Sequence, residues 1–217
     1  MLHISRYTAL LGCLTLLIVI APMVPADWSA YGLEIAFNMV LLAGVFPAAW
    51  HSRFRWPFTL LTVVTFGLRW AEHVSSSIAV GVLSSTLSIV WVSCITAIIV
   101  ATLFRARTVT IDIIIGAIVV YFLIVIGWSQ LYLFIYNIEG NSFVGIKENK
   151  ESISLVYFSL GCMSGMNFGD IVPRSDLTRS LAMLEAVFGM FFVAITVARL
   201  VGLNIVDESE NRGRKMD

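Results

Sequence analysis

The amino-acid sequence predicts an all-α membrane protein: six transmembrane helices and one re-entrant segment. Three observations carry that reading. The chain is 59% hydrophobic and 13% charged, with a mean hydropathy of +0.90, where a soluble domain carries about 25% charge. Six apolar runs have the length of a membrane helix and lack the alternation of strands. A further apolar run, between the last two, is too short to cross.

The first run extends from about Thr8 to Val24, holds Pro22 and is closed by Pro25. Two readings of it stay open. It is a retained span, or it is a secretory leader with a faint small-residue cleavage site at Val24-Pro25-Ala26. Its length, and a charged region consisting of Arg6 alone, favour the span. The second run is about Ser29 to Trp50, the third Pro57 to Val74, the fourth Ile78 to Phe104, the fifth Ile111 to Tyr136 and the sixth Ser180 to Leu203. Asn137 to Lys150 is polar and is expected to form a mobile outer loop. The polar tail after Leu203 is too short for a nucleotide- or calcium-binding domain.

Charge orients these runs. Arg6 precedes the first; His51, Arg53 and Arg55 lie between the second and third; Arg105 and Arg107 follow the fourth; Arg212, Arg214 and Lys215 lie in the tail. With six crossings all fall on one side, which the positive-inside rule makes cytoplasmic, together with both termini. Asp27, Arg69, Glu72, Glu139, Lys147, Glu148, Lys150 and Glu151 fall on the other side and are mixed in sign.

Ionisable groups inside the runs have plain structural readings. Glu34 and Arg69 fall in the outer part of antiparallel helices and suit an ion pair; a pH-sensing site with Glu72 and His73 is the functional alternative. Asp112 opens the fifth run, where a carboxylate suits a helix N-terminus. Ser84, Ser85, Thr86, Ser88 and Ser93 make the fourth run suited to close helix packing. Trp56, Trp70, Trp91 and Trp128 read as interface or packing aromatics.

The short run, Ser152 to about Met163, enters the membrane and stops. Gly165, Asn167 and Gly169 follow it, the residue types that best tolerate positive φ. Non-helical backbone at membrane depth survives only where protein covers it or water reaches it. A half-helix followed by carbonyl-presenting backbone is a means of replacing the water around a cation.

At these residues the chain resembles the pore loop of the tetrameric potassium-channel superfamily, of the bacterial six-transmembrane kind with a two-transmembrane pore. That family carries Thr-x-Gly-Tyr-Gly-Asp with a proline three residues on. Phe168, Gly169, Asp170 and Pro173 match without a gap, and Arg179 and Gly189 fall where the family has an arginine at the inner-helix start and a glycine hinge. The resemblance covers roughly residues 111 to 203. It implies that backbone carbonyls of Gly165, Met166, Asn167, Phe168 and Gly169 bind ions, that Asp170 stands at the outer mouth, that Gly189 is a hinge, and that Met190, Val193 and Val197 face the cavity and inner gate. It also implies that Glu185 braces the short helix rather than facing ions.

The filter diverges in three places. Gly165 stands where the family has threonine, so one oxygen layer is missing. Asn167 replaces the first glycine of Gly-Tyr-Gly. Phe168 replaces tyrosine and loses a hydroxyl that would tether the filter. These changes predict weaker discrimination of potassium from sodium.

The domain layout expected from this resemblance is a four-helix voltage-sensor-like domain at 1–107, a pore domain at 108–203 and a short cytoplasmic tail at 204–217. Ala79 to Leu103 carries no charge. Voltage does work only on charge that crosses the field, about 2.3 kcal/mol per charge per 100 mV, so voltage dependence is expected to be absent. The expected function is passive cation conduction, potassium and to a lesser degree sodium, by a homotetramer in a bacterial inner membrane. The partners are the lipid bilayer, further copies of the chain and the permeating monovalent cations, with no cofactor and no resident metal. A non-conducting scaffold or modulatory subunit with the same fold is the main rival. A secondary transporter ranks behind it, because no second broken helix or internal repeat is visible.

Other classes find little support. Cys13, Cys94 and Cys162 are far apart in apolar settings, and His3, His51 and His73 are scattered. No hydrolase, zinc-protease or phosphate-loop motif occurs, so the chain is not read as an enzyme. The net charge of +0 and the lack of a basic stripe argue against nucleic-acid binding.

Overall fold

The computed structural model of the chain describes residues 7–20, 39, 55–74, 78–106, 108–147 and 150–213. The elements in order are α1 (Thr8–Ile20), α2 (Arg55–Val74), α3 (Ile78–Arg105), α4 (Ile111–Ile138), β1 (Phe143–Val144), α5 (Glu151–Ser164), β2 (Val172–Pro173) and α6 (Asp176–Gly213). Three segments among them are long and apolar enough to cross a bilayer: Ala79–Arg105, Ile111–Ile138 and Asp176–Ile205. The chain is an α-helical membrane protein. The first and third expected spans contain shorter apolar helices, Thr8–Val19 and Phe58–Ala71. The second, Ser29 to Trp50, lies outside the described residues apart from Met39, as do His3, Arg6, Glu34, His51, Arg53, Arg107 and the side chains of Glu72 and His73.

Apolar spacing explains the main core. Leu10, Leu14 and Leu17 repeat at helical intervals and place one face of α1 inward. That face joins Trp91, Ile95 and Ile99 of α3 and Val119, Val120, Leu123 and Ile126 of α4 in one buried cluster. Ser84, Ser85 and Ser88 are buried on α3. Small side chains let apolar helices approach closely, and the Ser88 hydroxyl donates to the Ser84 carbonyl, so its burial leaves no orphan donor. Trp91 is a packing residue: its indole N–H donates to Thr62 Oγ1 at 2.8 Å, and its ring lies 5.5 Å from that of Phe58. Arg69 is buried, and its Nη1 donates to Ser88 Oγ at 3.2 Å and to Gln130 Oε1 at 3.5 Å. It thereby joins α2, α3 and α4.

A second cluster holds α5. The rings of Tyr132, Phe143 and Phe158 meet pairwise edge-to-face, with centroids 5.3 to 5.5 Å apart. Leu155, Cys162 and Ile171 close around them. With 14 residues, α5 is about 21 Å long at ~1.5 Å per residue, short of a ~30 Å hydrocarbon core.

The described part of the outer loop, which its polarity suggests is mobile, carries a short strand pair. Phe143 and Val144 pair antiparallel with Pro173 and Val172. The Ser142 carbonyl accepts from the Arg174 N–H at 2.8 Å and from Thr178 Oγ1 at 3.1 Å. One aromatic side chain, Phe143, buried among the α5 rings, anchors this otherwise polar stretch. The last helix also outruns its expected end at Leu203 and continues to Gly213. The polar residues there include no proline, and nothing in them forbids another helical turn.

Candidate functional site

The site is built where α5 ends. Gly165 adopts φ 74° and ψ 10°, the left-handed conformation that stops a helix. Its N–H bonds to the Cys162 carbonyl at 3.1 Å, and the Met166 N–H bonds to the Gly161 carbonyl at 3.0 Å. This paired arrangement satisfies two carbonyls of the last turn. Positive φ then recurs at Asn167 (25°) and Gly169 (82°), the residues whose types allow it.

From Ser164 to Asp170 every residue is exposed on the single chain. Among the described residues, no hydrogen bond reaches the carbonyl oxygens of Gly165, Met166, Asn167, Phe168 or Gly169. Five successive unpaired carbonyls are unusual, because the great majority of backbone acceptors in folded proteins are paired. Met166 and Phe168 are 70% and 67% exposed, although both are large and apolar.

Side chains fix this backbone from behind. Asn167 folds back so that its Oδ1 lies 3.4 Å from the Cys162 thiol, which can donate to it. Phe168 stacks on Tyr157 of α5, with centroids 5.5 Å apart and planes 13° from parallel. The Tyr157 hydroxyl donates to Asp170 Oδ1 at 3.1 Å. Packing against its surroundings, and next the bond to Asp170, raise the Tyr157 phenol above its ordinary range. The tether that Phe168 lacks for want of a hydroxyl is thus replaced by a stack, and the stacking partner also holds Asp170. Tyr157 was not recognisable from the sequence: its role depends on the turn that brings residue 168 back over α5.

Glu185 of α6 is fully buried. Its Oε2 accepts from the Tyr132 hydroxyl at 2.7 Å, and its Oε1 lies 2.5 Å from Ser159 Oγ. The Ser159 Oγ also lies 2.8 Å from the Val125 carbonyl, so its one hydrogen serves one of these two acceptors at a time. Glu185 therefore ties α6 to α4 and to α5 and faces no solvent. Gly189 lies one turn further on. A Cβ there would strike the Met163 carbonyl, with the carbonyl carbon at 2.9 Å. Glycine at 189 lets α6 lie flush against the last turn of α5. Met190, Val193 and Val197 are 67%, 50% and 54% exposed on the single chain.

The rim is fixed by the outer loop. Gly145 (φ 90°) passes so close to Asp170 that a Cβ would collide with its carbonyl oxygen. Ser175 caps α6, its Oγ accepting from the Thr178 N–H at 3.3 Å. Arg179 donates through Nε to the Pro173 carbonyl at 3.2 Å. The described residues contain no cluster of three or more His, Cys, Asp or Glu side chains able to hold a metal ion.

Residues 108–204 match a protein-family model described as "Ion channel". The match begins before α4 and ends within α6, so it takes in α5 and the whole of the site. It points to a channel rather than an enzyme. No curated protein and no solved structure matches the chain.

Proposed function

We propose that this chain is the subunit of a homotetrameric cation channel whose filter is the backbone of Gly165 to Gly169, with Asp170 at the outer mouth. The observation that carries this reading is the run of five carbonyl oxygens that accept no hydrogen bond, on residues exposed on the single chain, at the C-terminal end of a helix too short to cross the membrane. At membrane depth, backbone oxygens with no protein partner need water or a cation. A cation stripped of water needs a ring of such oxygens. The negative end of α5 adds to the attraction. The match of residues 108–204 to an ion-channel family supports the same reading.

One chain supplies one side of a ring, and closed symmetry of identical copies completes it. Potassium is the expected ion by resemblance. Selectivity over sodium is reduced by the oxygen missing at Gly165, while the Tyr157 stack supports the filter despite the change at Phe168. Residues 1–107 form the sensor-like domain and 108–203 the pore domain. With Ala79 to Leu103 uncharged, opening is independent of voltage. Gly189 acts as hinge, and Met190, Val193 and Val197 line the cavity and inner gate. Both termini lie in the cytoplasm of a bacterial cell, with the channel in its inner membrane.

Ion flux from liposomes carrying the purified protein tests this. Potassium and rubidium should pass, sodium should pass less well, and Gly169→Ala should abolish all three by forcing a Cβ onto a residue at φ 82°. Absence of flux for every ion under all conditions would favour a non-conducting scaffold.

A further inference from the structure

Away from the filter, an apolar cavity of about 270 Å³ lies between the ends of α3, α4 and α6. Leu103, Ile113, Val120, Phe192 and Ile195 are among its walls, and Arg199 is its one charged residue. Arg199 donates through Nη2 to the Leu103 carbonyl at 2.8 Å, and its guanidinium lies over the Phe104 ring at 4.3 Å. The described residues supply it with that carbonyl and that ring face but with no carboxylate. A guanidinium has five N–H donors, so most of its hydrogen-bonding capacity and all of its charge remain for another ligand.

Depth adds to the argument. Arg199 is 23 residues beyond Asp176, which starts α6. At ~1.5 Å per residue this is about 35 Å, against a hydrocarbon core of ~30 Å. Arg199 therefore lies in the last two turns of the crossing segment Asp176–Ile205, at the end of the bundle away from the filter, where a long basic side chain reaches headgroup level. Arg105, in the last turn of α3, adds a second positive charge at the same end. A helix of a partner protein, ~10 Å across with its side chains, does not enter such a space. An acyl chain does, and the volume lies near the ~300 Å³ lower end of small-ligand sites, which suits one chain rather than two.

We infer that this cavity is a binding site for an anionic phospholipid, with one acyl chain in the apolar space and the headgroup phosphate on Arg199. Bidentate binding of phosphate suits a guanidinium, and basic pockets between membrane helices recognise anionic headgroups. The occupant would couple the end of α3 to the inner part of α6, which is tied to it by the Arg199–Leu103 bond. The inference does not depend on ion conduction, so the two readings fail separately.

Photo-cross-linking of the full-length protein in vesicles tests it. The vesicles contain a diazirine-tailed phosphatidylglycerol or, in the control, a diazirine-tailed phosphatidylcholine at equal mole fraction. The phosphatidylglycerol probe should label residues 100–104 and 188–200 about fivefold more strongly, the preference expected from one arginine near an anionic surface. Arg199→Gln should bring that ratio to about one while labelling persists. Val100→Phe, which fills the cavity from α3, should remove labelling of both stretches by either lipid. Equal labelling of the wild type by the two lipids would overturn the inference. So would labelling insensitive to Val100→Phe, or cross-links between two copies of the chain across the cavity. Should Arg199→Gln fail to fold, the wild-type headgroup comparison and Val100→Phe still decide.

Discussion

Glu185 should tolerate an amide and not a methyl group. In Glu185→Ala the Tyr132 hydroxyl loses its acceptor in a site closed to solvent, while Ser159 keeps the Val125 carbonyl. An orphaned buried hydroxyl costs about 1–3 kcal/mol. The space left by the carboxyl group adds about 24 cal/mol per Å³ that does not collapse. The total is on the order of 3 kcal/mol, roughly a hundredfold in the folding equilibrium. In Glu185→Gln the amide oxygen still accepts from Tyr132. The amide N–H₂ donates to Ser159 Oγ, leaving the single Ser159 hydrogen for Val125. The loss there should stay below about 1 kcal/mol, the net worth of a typical hydrogen bond. The assay is reversible unfolding in mixed detergent and dodecyl sulfate micelles, followed by tryptophan fluorescence. The reasoning is refuted if glutamine is as damaging as alanine, or if alanine lies within about 0.5 kcal/mol of wild type, the scatter of an ordinary surface substitution.

Gly189→Ala should push α6 off the last turn of α5, costing about 1–3 kcal/mol as overpacking does, and should lower liposome flux; unchanged stability and flux would remove the close contact from the argument. Gly145→Ala meets both a positive φ and the Asp170 carbonyl, so hydrogen exchange at the Arg174 amide, which is bonded to Ser142, should accelerate at least several-fold. Tyr157→Phe should keep the stack on Phe168 and release Asp170, whereas Tyr157→Ala should lose both, so flux should fall in the order wild type, phenylalanine, alanine. Because the Tyr157 phenol is raised above its usual pKa of about 10, its bond to Asp170 is fully present below that value and is lost only as pH rises beyond it. External pH between about 6 and 9 should therefore leave the Tyr157 contribution unchanged, as comparison of wild type with Tyr157→Phe over that range would show. The conductance–voltage relation of the purified protein in planar bilayers should be flat, and a steep one would overturn the voltage independence inferred from the uncharged stretch Ala79 to Leu103.

Where one residue type permits one geometry, the sequence was informative. Gly165, Asn167 and Gly169 were expected to take positive φ because few other residues do, and all three take it. The ends of α3 and α4 fall within two residues of their expected positions, since long apolar runs specify helices strongly. Of the five small residues expected to pack closely in α3, Ser84, Ser85 and Ser88 are buried, whereas Thr86 and Ser93 are exposed. What escaped the sequence depends on contacts between distant residues. The outer loop reads as polar residue by residue, and only the aromatic cluster gives Phe143 somewhere to go. Tyr157 carries no local mark of its role. Gly189 stands out in sequence as a potential hinge, yet a close approach to Met163, 26 positions earlier, also requires glycine there.

The filter and the surface of α6 pose the same physical problem. Along the filter, backbone oxygens have no donors. Along α6, Met183, Met190, Phe191 and Val197 are all more than half exposed, although the matched ion-channel segment extends over them. Lipid can cover apolar side chains, but it offers no hydrogen bonds to carbonyl groups. An arrangement that leaves both features on one chain must satisfy them differently: the side chains through lipid or neighbouring helices, the carbonyls through water or cations. The fourfold closure proposed above would do both at once, if it turned these carbonyls toward one another and covered part of α6 in the same step. That economy is the reason to propose that these unpaired carbonyls form an ion path rather than an ordinary loop.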